Sequence, residues 1–175
     1  MRTLLFTVAL AGLAGSICSA QVAAGANAGY QTAEGRARVA QSLANLEREK
    51  EQKPRELIAS IDVQKGDVVA DIGTGVGFMI PYFLEAIGPQ GKIYAEDIQQ
   101  DFLDQVRAHK SEQDWQNVET VLGGQVDPKL PANAVDVAFI LDAYHHFEQP
   151  TETMRAILGA LKPNGRLVVV DFYKS

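Results

Sequence analysis

The sequence predicts a doubly wound α/β fold, a Rossmann-like parallel sheet of five strands in the order 3-2-1-4-5. Two observations lead there. From residue 67 onward five apolar runs alternate with helical segments, and the first run, Val68 to Ile72, breaks into the turn Gly73-Thr74-Gly75-Val76-Gly77. Near-continuous apolar strands suit a parallel sheet covered on both faces, and a glycine turn after the first strand is where such sheets hold a ligand. At 175 residues, 46% hydrophobic and 22% charged, the chain has the size and composition of one domain.

The first twenty residues stand apart from that domain. Arg2 is a short positive start, Leu4 to Ile17 is apolar, and Cys18-Ser19-Ala20 supplies small residues before Gln21, so residues 1–20 read as a secretory signal peptide. The apolar run is shorter than the ~20 residues a spanning helix needs, so no stable membrane span is expected after cleavage. The expected location is outside the cytosol, periplasmic or secreted. Cleavage removes Cys18, the only cysteine, and with it disulfides, thiolate metal ligands and cysteine nucleophiles. The formal charge then moves from −6 to −7, because Arg2 leaves and no acid does. The one dense charge run, 47–56, mixes both signs, so nucleic acid is not an expected partner.

Residues 21–33 are small and polar without an apolar period and read as a flexible linker, leaving 34–175 as the folded domain. Val39, Leu43 and Leu46 recur at helical spacing and predict one amphipathic helix from Glu34 to Lys53. Pro54 suits the first turn of a second short helix with Leu57, Ile58 and Ile61 on its apolar side. Strands are expected at 67–72, 92–97, 118–122, 135–141 and 166–172, with crossover helices over 78–87, 100–110 and 150–162. Pro163 closes the last helix, and Asn164-Gly165 turns the chain into the fifth strand. Tyr82, Phe83 and Trp115 fall at helical or helix-end positions and read as packing rather than a substrate cage.

Glycines at the carboxyl end of a first parallel strand let the backbone turn sharply and approach a ligand. Here they are evenly spaced, and Phe78 stands where the third glycine of the dinucleotide fingerprint belongs. Asp71, two residues ahead, repels a pyrophosphate but suits a ligand with positive charge, directly or through water. S-adenosylmethionine, with its sulfonium and ammonium, is such a ligand. Asp97 ends the second strand, where a carboxylate can accept both ribose hydroxyls, and strand alternation turns Glu96 to the opposite face. A nicotinamide-dependent oxidoreductase is the weaker reading, because both the glycine spacing and Asp71 oppose it.

These residues resemble the class I S-adenosylmethionine-dependent methyltransferases. The similarity runs from about Gln52 to Phe172 through "VVADIGTGVG", "GKIYAEDI", "VDVAFILDAYHHF" and "ALKPNGRLVVVDF", in the family's order. More narrowly, "REKEQKPRELI" resembles the "REAWQKPEEVI" segment of bacterial methyltransferase-like proteins, many with export signals, with Glu51 in place of the Trp. The resemblance implies that Asp71, Gly73 and Gly75 line the methionine end of S-adenosyl-L-methionine, with Thr74 and Gly77 completing the turn. It also implies that Asp97 binds the ribose and Ile98 lies against adenine. Where the family commonly has an acid for the adenine amino group, this chain has Gly124; Gln125 and Asp127 are the substitutes within reach.

The fourth strand ends at Asp142, Tyr144, His145 and His146, which should lie beside the transferred methyl group. Methyl transfer is an in-line displacement, so alignment supplies much of the catalysis and a base matters only if the nucleophile must lose a proton. Asp142, His145 and His146 are the candidate catalytic residues. The alternative roles are ordering the loop, for the histidines, and capping the strand or touching the cofactor, for Asp142. Adjacent histidines diverge, so no metal site is expected. Compared with the family, the last helix and two further strands are absent after 166–172, which makes the fifth strand an apolar edge and a homodimer through it a possible assembly. The function expected is methylation of a small-molecule acceptor. The alternative is an exported, shortened, non-catalytic relative that binds another ligand or a protein.

Overall fold

A computed structural model describes residues 23–171. The expected signal peptide, 1–20, lies outside the described residues. After a 3₁₀ turn at Asn27–Tyr30, three helices precede the sheet: α1 (Ala33–Leu43), α2 (Glu47–Gln52) and α3 (Pro54–Ser60). Then come β1 (Val68–Ile72), α4 (Ile80–Ile87), β2 (Lys92–Asp97), α5 (Gln100–Glu112), β3 (Val118–Leu122) and β4 (Val135–Leu141). A second 3₁₀ turn, Tyr144–His146, leads to α6 (Pro150–Ala160) and β5 (Leu161–Val170). All neighbouring strands are parallel, in the order β3-β2-β1-β4-β5, as the alternation of apolar runs and helices predicts.

Both faces of this sheet are apolar, and both are covered. Val69, Ile93, Ala95, Val137 and Phe139 point to one side and pack against Ile80, Phe83 and Ile87 of α4 and Val106 of α5. Phe83 and Phe139 meet edge to face at 5.2 Å, a geometry favoured by the ring quadrupoles. Ala70, Ile72, Ala138 and Ile140 point to the other side, onto Ile157 and Ala160 of α6. Ile72 pairs in register with Glu96 and with Ile140. The carboxyl ends of β1, β2 and β4 are therefore level, and residues 73–75, 97–98 and 142–143 share one rim.

Three local expectations differ from the structure. The single helix expected from Glu34 to Lys53 is two, because the Asn45 side chain accepts from the Glu47 backbone N–H at 3.0 Å and starts α2 afresh. Leu46, counted in the apolar stripe, is consequently exposed. Lys53 then takes a left-handed conformation, φ 46°, since the ring of Pro54 disfavours α geometry in the residue before it. β5 begins earlier than expected: Leu161 pairs with Val135, but the next pair is Arg166 with Val137. The Pro163-Asn164-Gly165 turn is thus a bulge inside the strand, with Asn164 at φ 71°. Finally, the segment expected as a linker contributes Asn27 and Tyr30 to packing against the domain. The Tyr30 ring lies edge-on to Phe102 of α5 and to His146. No helix among the described residues is long and apolar enough to cross a membrane.

Candidate functional site

The turn after β1 is stitched to the end of β2. Thr74 N–H donates to the Glu96 carbonyl at 2.8 Å, Gly75 N–H to Asp97 Oδ2 at 2.9 Å, and Gly73 N–H to Glu96 Oε2 at 3.3 Å. Gly73 and Gly75 have φ of 68° and 57°, where side chains are disfavoured. A Cβ on Gly73 would stand 2.7 Å from that of Ala143, and one on Gly75 2.8 Å from Leu43 Cδ1 of α1. The bare backbone is what lets β4's loop and α1 close against the turn from two sides.

Three carboxylates meet here. Asp71 is buried beneath the turn, its Oδ2 accepting from Thr74 Oγ1 at 2.6 Å. Burial pushes the Asp71 carboxyl up to about 6, against the pull of the Thr74 hydroxyl and Arg48. Asp97 also stands at about 6, raised by burial although the backbone N–H groups of Gln99 and Gly75 hold it down. Burial and then the neighbouring Asp97 drive Glu96 well above the carboxylate range.

The opposite wall comes from the end of β4 and from the N-terminal helices. Asp142 adopts φ 52°, a left-handed conformation that short acidic side chains tolerate, and this turns the chain out of the strand. Its Oδ2 accepts from Gln52 Nε2 at 2.7 Å and lies 3.8 Å from Arg48 Nη2. The Arg48 guanidinium sits 4.8 Å over the Phe78 ring. His145 turns to Asp171, with Nδ1 2.7 Å from Oδ1 and its backbone N–H donating to Oδ2 at 3.0 Å. His146 instead meets Asn27: Nδ1 is 2.8 Å from Asn27 Oδ1, while Asn27 Nδ2 donates to the His146 carbonyl at 3.1 Å. Burial, and next the adjacent His145, lower the His146 imidazole to about 4.

One cavity lies between these walls. Of the residues expected at the site, Gly73, Thr74, Gly75, Asp97, Ile98, Gln125, Asp142 and His146 line it. Four do not. Tyr144 is exposed off the wall, its ring edge-on to Phe147. Asp71 lies beneath the turn and reaches the cavity only through Thr74. Gly77 faces the core, where a Cβ would meet Ile80 Cδ1 at 2.9 Å and Val106 Cγ2 at 3.3 Å. His145 is held in the loop by Asp171. Of the substitutes for the missing adenine-side acid, Gln125 is on the wall, whereas Asp127 Oδ1 accepts from Lys129 N–H and stays off it. Glu96, expected on the opposite face, lines the cavity because it reaches past the strand end to Gly73.

Asn27, Tyr30, Leu43 and Arg48 complete the wall and are absent from the sequence reading of the site. Arg48 and Gln52 carried a usable signal. Four residues apart on one helix, they share a face, and both converge on Asp142. Asn27 carried none, since its partner lies 119 residues away.

A glycine turn without dinucleotide spacing, a carboxylate ending β2 and a mixed-charge wall meet at the carboxyl rim of the sheet, the place where α/β domains of this kind hold their ligands. The chain matches the methyltransferase domain family over residues 70–167, more than half its length, and belongs to that family. It is 28% identical over 117 residues to a demethylmenaquinone methyltransferase of Listeria monocytogenes, covering 67% of this chain and 49% of that protein. A ubiquinone/menaquinone biosynthesis C-methyltransferase of Francisella philomiragia is 28% identical over 121 residues, or 69% of this chain and 48% of that one. The chain thus spans about half the length of the curated relatives it matches. A solved SAM-dependent methyltransferase of Aquifex aeolicus superposes with a TM-score of 0.74 at 26% identity, covering 77% of this chain and 71% of that one.

S-adenosyl-L-methionine is the cofactor this class uses, and the wall fits it. The wall sets carboxylate acceptors, Asp97 and Asp142, beside one guanidinium donor, Arg48, a set that suits a ligand carrying hydroxyls, an ammonium and a carboxylate.

Proposed function

We propose that this chain transfers the methyl group of S-adenosyl-L-methionine to a small-molecule acceptor. The observation that supports this most directly is Asp97. It ends β2 on the cavity wall, already hydrogen-bonded to Gly75 of the glycine turn, so a ribose held by its carboxylate lies against that turn. Ile98, exposed at 42% despite its apolar side chain, offers a surface for adenine, and Gln125 an amide for its polar edge. Arg48 supplies a cation for the methionine carboxylate, and Asp142 an anion for the ammonium. When bound, the cofactor supplies an electrophilic methyl carbon on a sulfonium. The protein's part is to align an acceptor with it and exclude water, which Tyr30, Leu43 and Phe102 do from the N-terminal side and α5.

The names of the quinone-biosynthesis relatives support an acceptor of small-molecule size. Export is part of the reading, supported by the leader pattern of residues 1–20, and mass spectrometry of the exported chain should find Gln21 at its start. The half-exposed β5, with Val169 at 42%, supports pairing of two copies along that edge, to be read as a dimer mass by light scattering.

Calorimetry with S-adenosylhomocysteine tests the central claim. Binding that disappears in Asp97→Ala is expected; a folded chain that ignores the compound, or that takes NADH instead, rejects it.

A further inference from the structure

The 3₁₀ turn Asn27–Tyr30 grips His146 from outside the sheet, and the grip has a chemical direction. Asn27 Nδ2 donates to the His146 carbonyl at 3.1 Å, which fixes the amide's orientation and leaves Oδ1 facing His146 Nδ1 at 2.8 Å. The reversed amide would set Oδ1 against that carbonyl, acceptor to acceptor. Because Asn27 Oδ1 can only accept, His146 Nδ1 must donate, and the ring proton is on Nδ1. In a neutral imidazole the lone pair is then on Nε2. His146 lines the cavity together with Asp142 and Gly73, and the described residues supply no partner for its Nε2.

Resting on the methyltransferase reading, we infer that His146 Nε2 is the base that takes the acceptor's proton, with Asn27 as the residue that holds it in the reactive tautomer. The acceptor is then one whose nucleophilic atom carries a proton, such as a hydroxyl, rather than a thioether or tertiary amine, which need no base. Nε2 takes the hydroxyl proton as the oxygen's electron pair bonds to the methyl carbon and the carbon–sulfur pair passes to sulfur. His146 is left protonated on both nitrogens and returns its proton to water.

The surroundings keep the ring neutral. Tyr30 lies edge-on at 5.0 Å, His145 lies tilted against the ring at 4.2 Å, and burial lowers the imidazole to about 4. Asp171 opposes this from behind His145, Glu148 lies on the same cavity wall, and Asp97 faces Tyr30 from β2. His145 does not serve in the same way, because it is not on the cavity wall.

Long-range ¹H–¹⁵N correlation spectra of the ¹⁵N-histidine-labelled chain test the inference, with His146→Gln assigning the signal. At pH 7 the His146 ring should show the Nδ1–H pattern with an unprotonated Nε2, persisting until the pH nears 4. Asn27→Ala should lose that pattern in favour of Nε2–H, and Asn27→Asp, which keeps an acceptor for Nδ1–H, should restore it. S-adenosylhomocysteine should shift the Nε2 resonance. A wild-type ring protonated on Nε2 at pH 7, or an Nε2 signal unmoved by bound S-adenosylhomocysteine, overturns the base. If calorimetry detects no S-adenosylhomocysteine binding, the methyltransferase reading fails and takes the base with it, whatever the tautomer.

Discussion

Asp97 Oδ2 accepts the backbone N–H of Gly75 across 2.9 Å, so one carboxylate both closes the glycine turn and faces the cavity. Its other oxygen accepts the Gln99 N–H at 2.9 Å and sets the start of α5. Asp97→Asn loses the charge and can accept only one of these two N–H groups, and should bind S-adenosylhomocysteine roughly ten- to a hundredfold more weakly, about 1.4–2.8 kcal/mol. Calorimetry reads the difference. Unchanged affinity would remove Asp97 from the ribose role.

Asp71 gives a pH signature. Its carboxyl is at about 6 when folded and 3.8 as a free side chain, so between those values the native state binds the extra proton. The stabilising contribution is therefore complete below 3.8 and lost as the pH rises through 6. Asp71→Asn retains an acceptor for Thr74 Oγ1 without the buried charge. It should gain on the wild type at pH 7, on the order of 2 kcal/mol, and lose that advantage by pH 4. His146, lowered to about 4, works with the opposite sign but is common to both proteins. Denaturant midpoints at the two pH values decide the matter, and an advantage that does not change with pH refutes the assignment.

Gly73→Ala should fail for two reasons at once. Its φ is 68°, and the added Cβ would stand 2.7 Å from Ala143 Cβ, the residue that follows Asp142. A loss of roughly 2–4 kcal/mol is expected, with loss of S-adenosylhomocysteine binding. Gly66→Ala is the control. Its φ is 88° but nothing lies within 4 Å, so only the backbone strain, roughly 1 kcal/mol, should appear.

Arg48→Met keeps an unbranched apolar side chain of similar reach while removing the guanidinium that lies over Phe78 and beside Asp142 on the cavity wall. Desolvation lowers the Arg48 guanidinium and raises Asp142, and the attraction between the two opposes both shifts. We expect roughly tenfold weaker S-adenosylhomocysteine binding and a smaller loss with adenosine, which has no amino-acid end. An equal loss with both ligands would place Arg48 elsewhere in the binding reaction.

Much of the fold was legible because its signals are local. Strands 92–97, 118–122 and 135–141 match β2, β3 and β4 residue for residue, since each is a short run rich in apolar and β-branched residues. The Gly73-Thr74-Gly75 turn was equally legible, because positive φ and the absence of a Cβ belong to the residue itself. Periodicity was less reliable where a side chain competes with the helix ladder, as Asn45 does between α1 and α2.

The sequence by itself thus determined the class of fold, the order of its strands, the glycine turn and the position of Asp97 at the end of β2, all consequences of backbone sterics and of residue spacing along one segment. Only the tertiary structure decided that Asp71 lies beneath the turn, that Glu96 reaches the cavity, that Gly77 serves the core, and that Arg48 and Asn27 belong to the wall. It also separated two adjacent histidines, giving His145 to Asp171 and His146 to Asn27. Those outcomes depend on which distant groups packing brings within hydrogen-bond reach. Asn27 and His146 are 119 residues apart, and no local preference of either encodes the other.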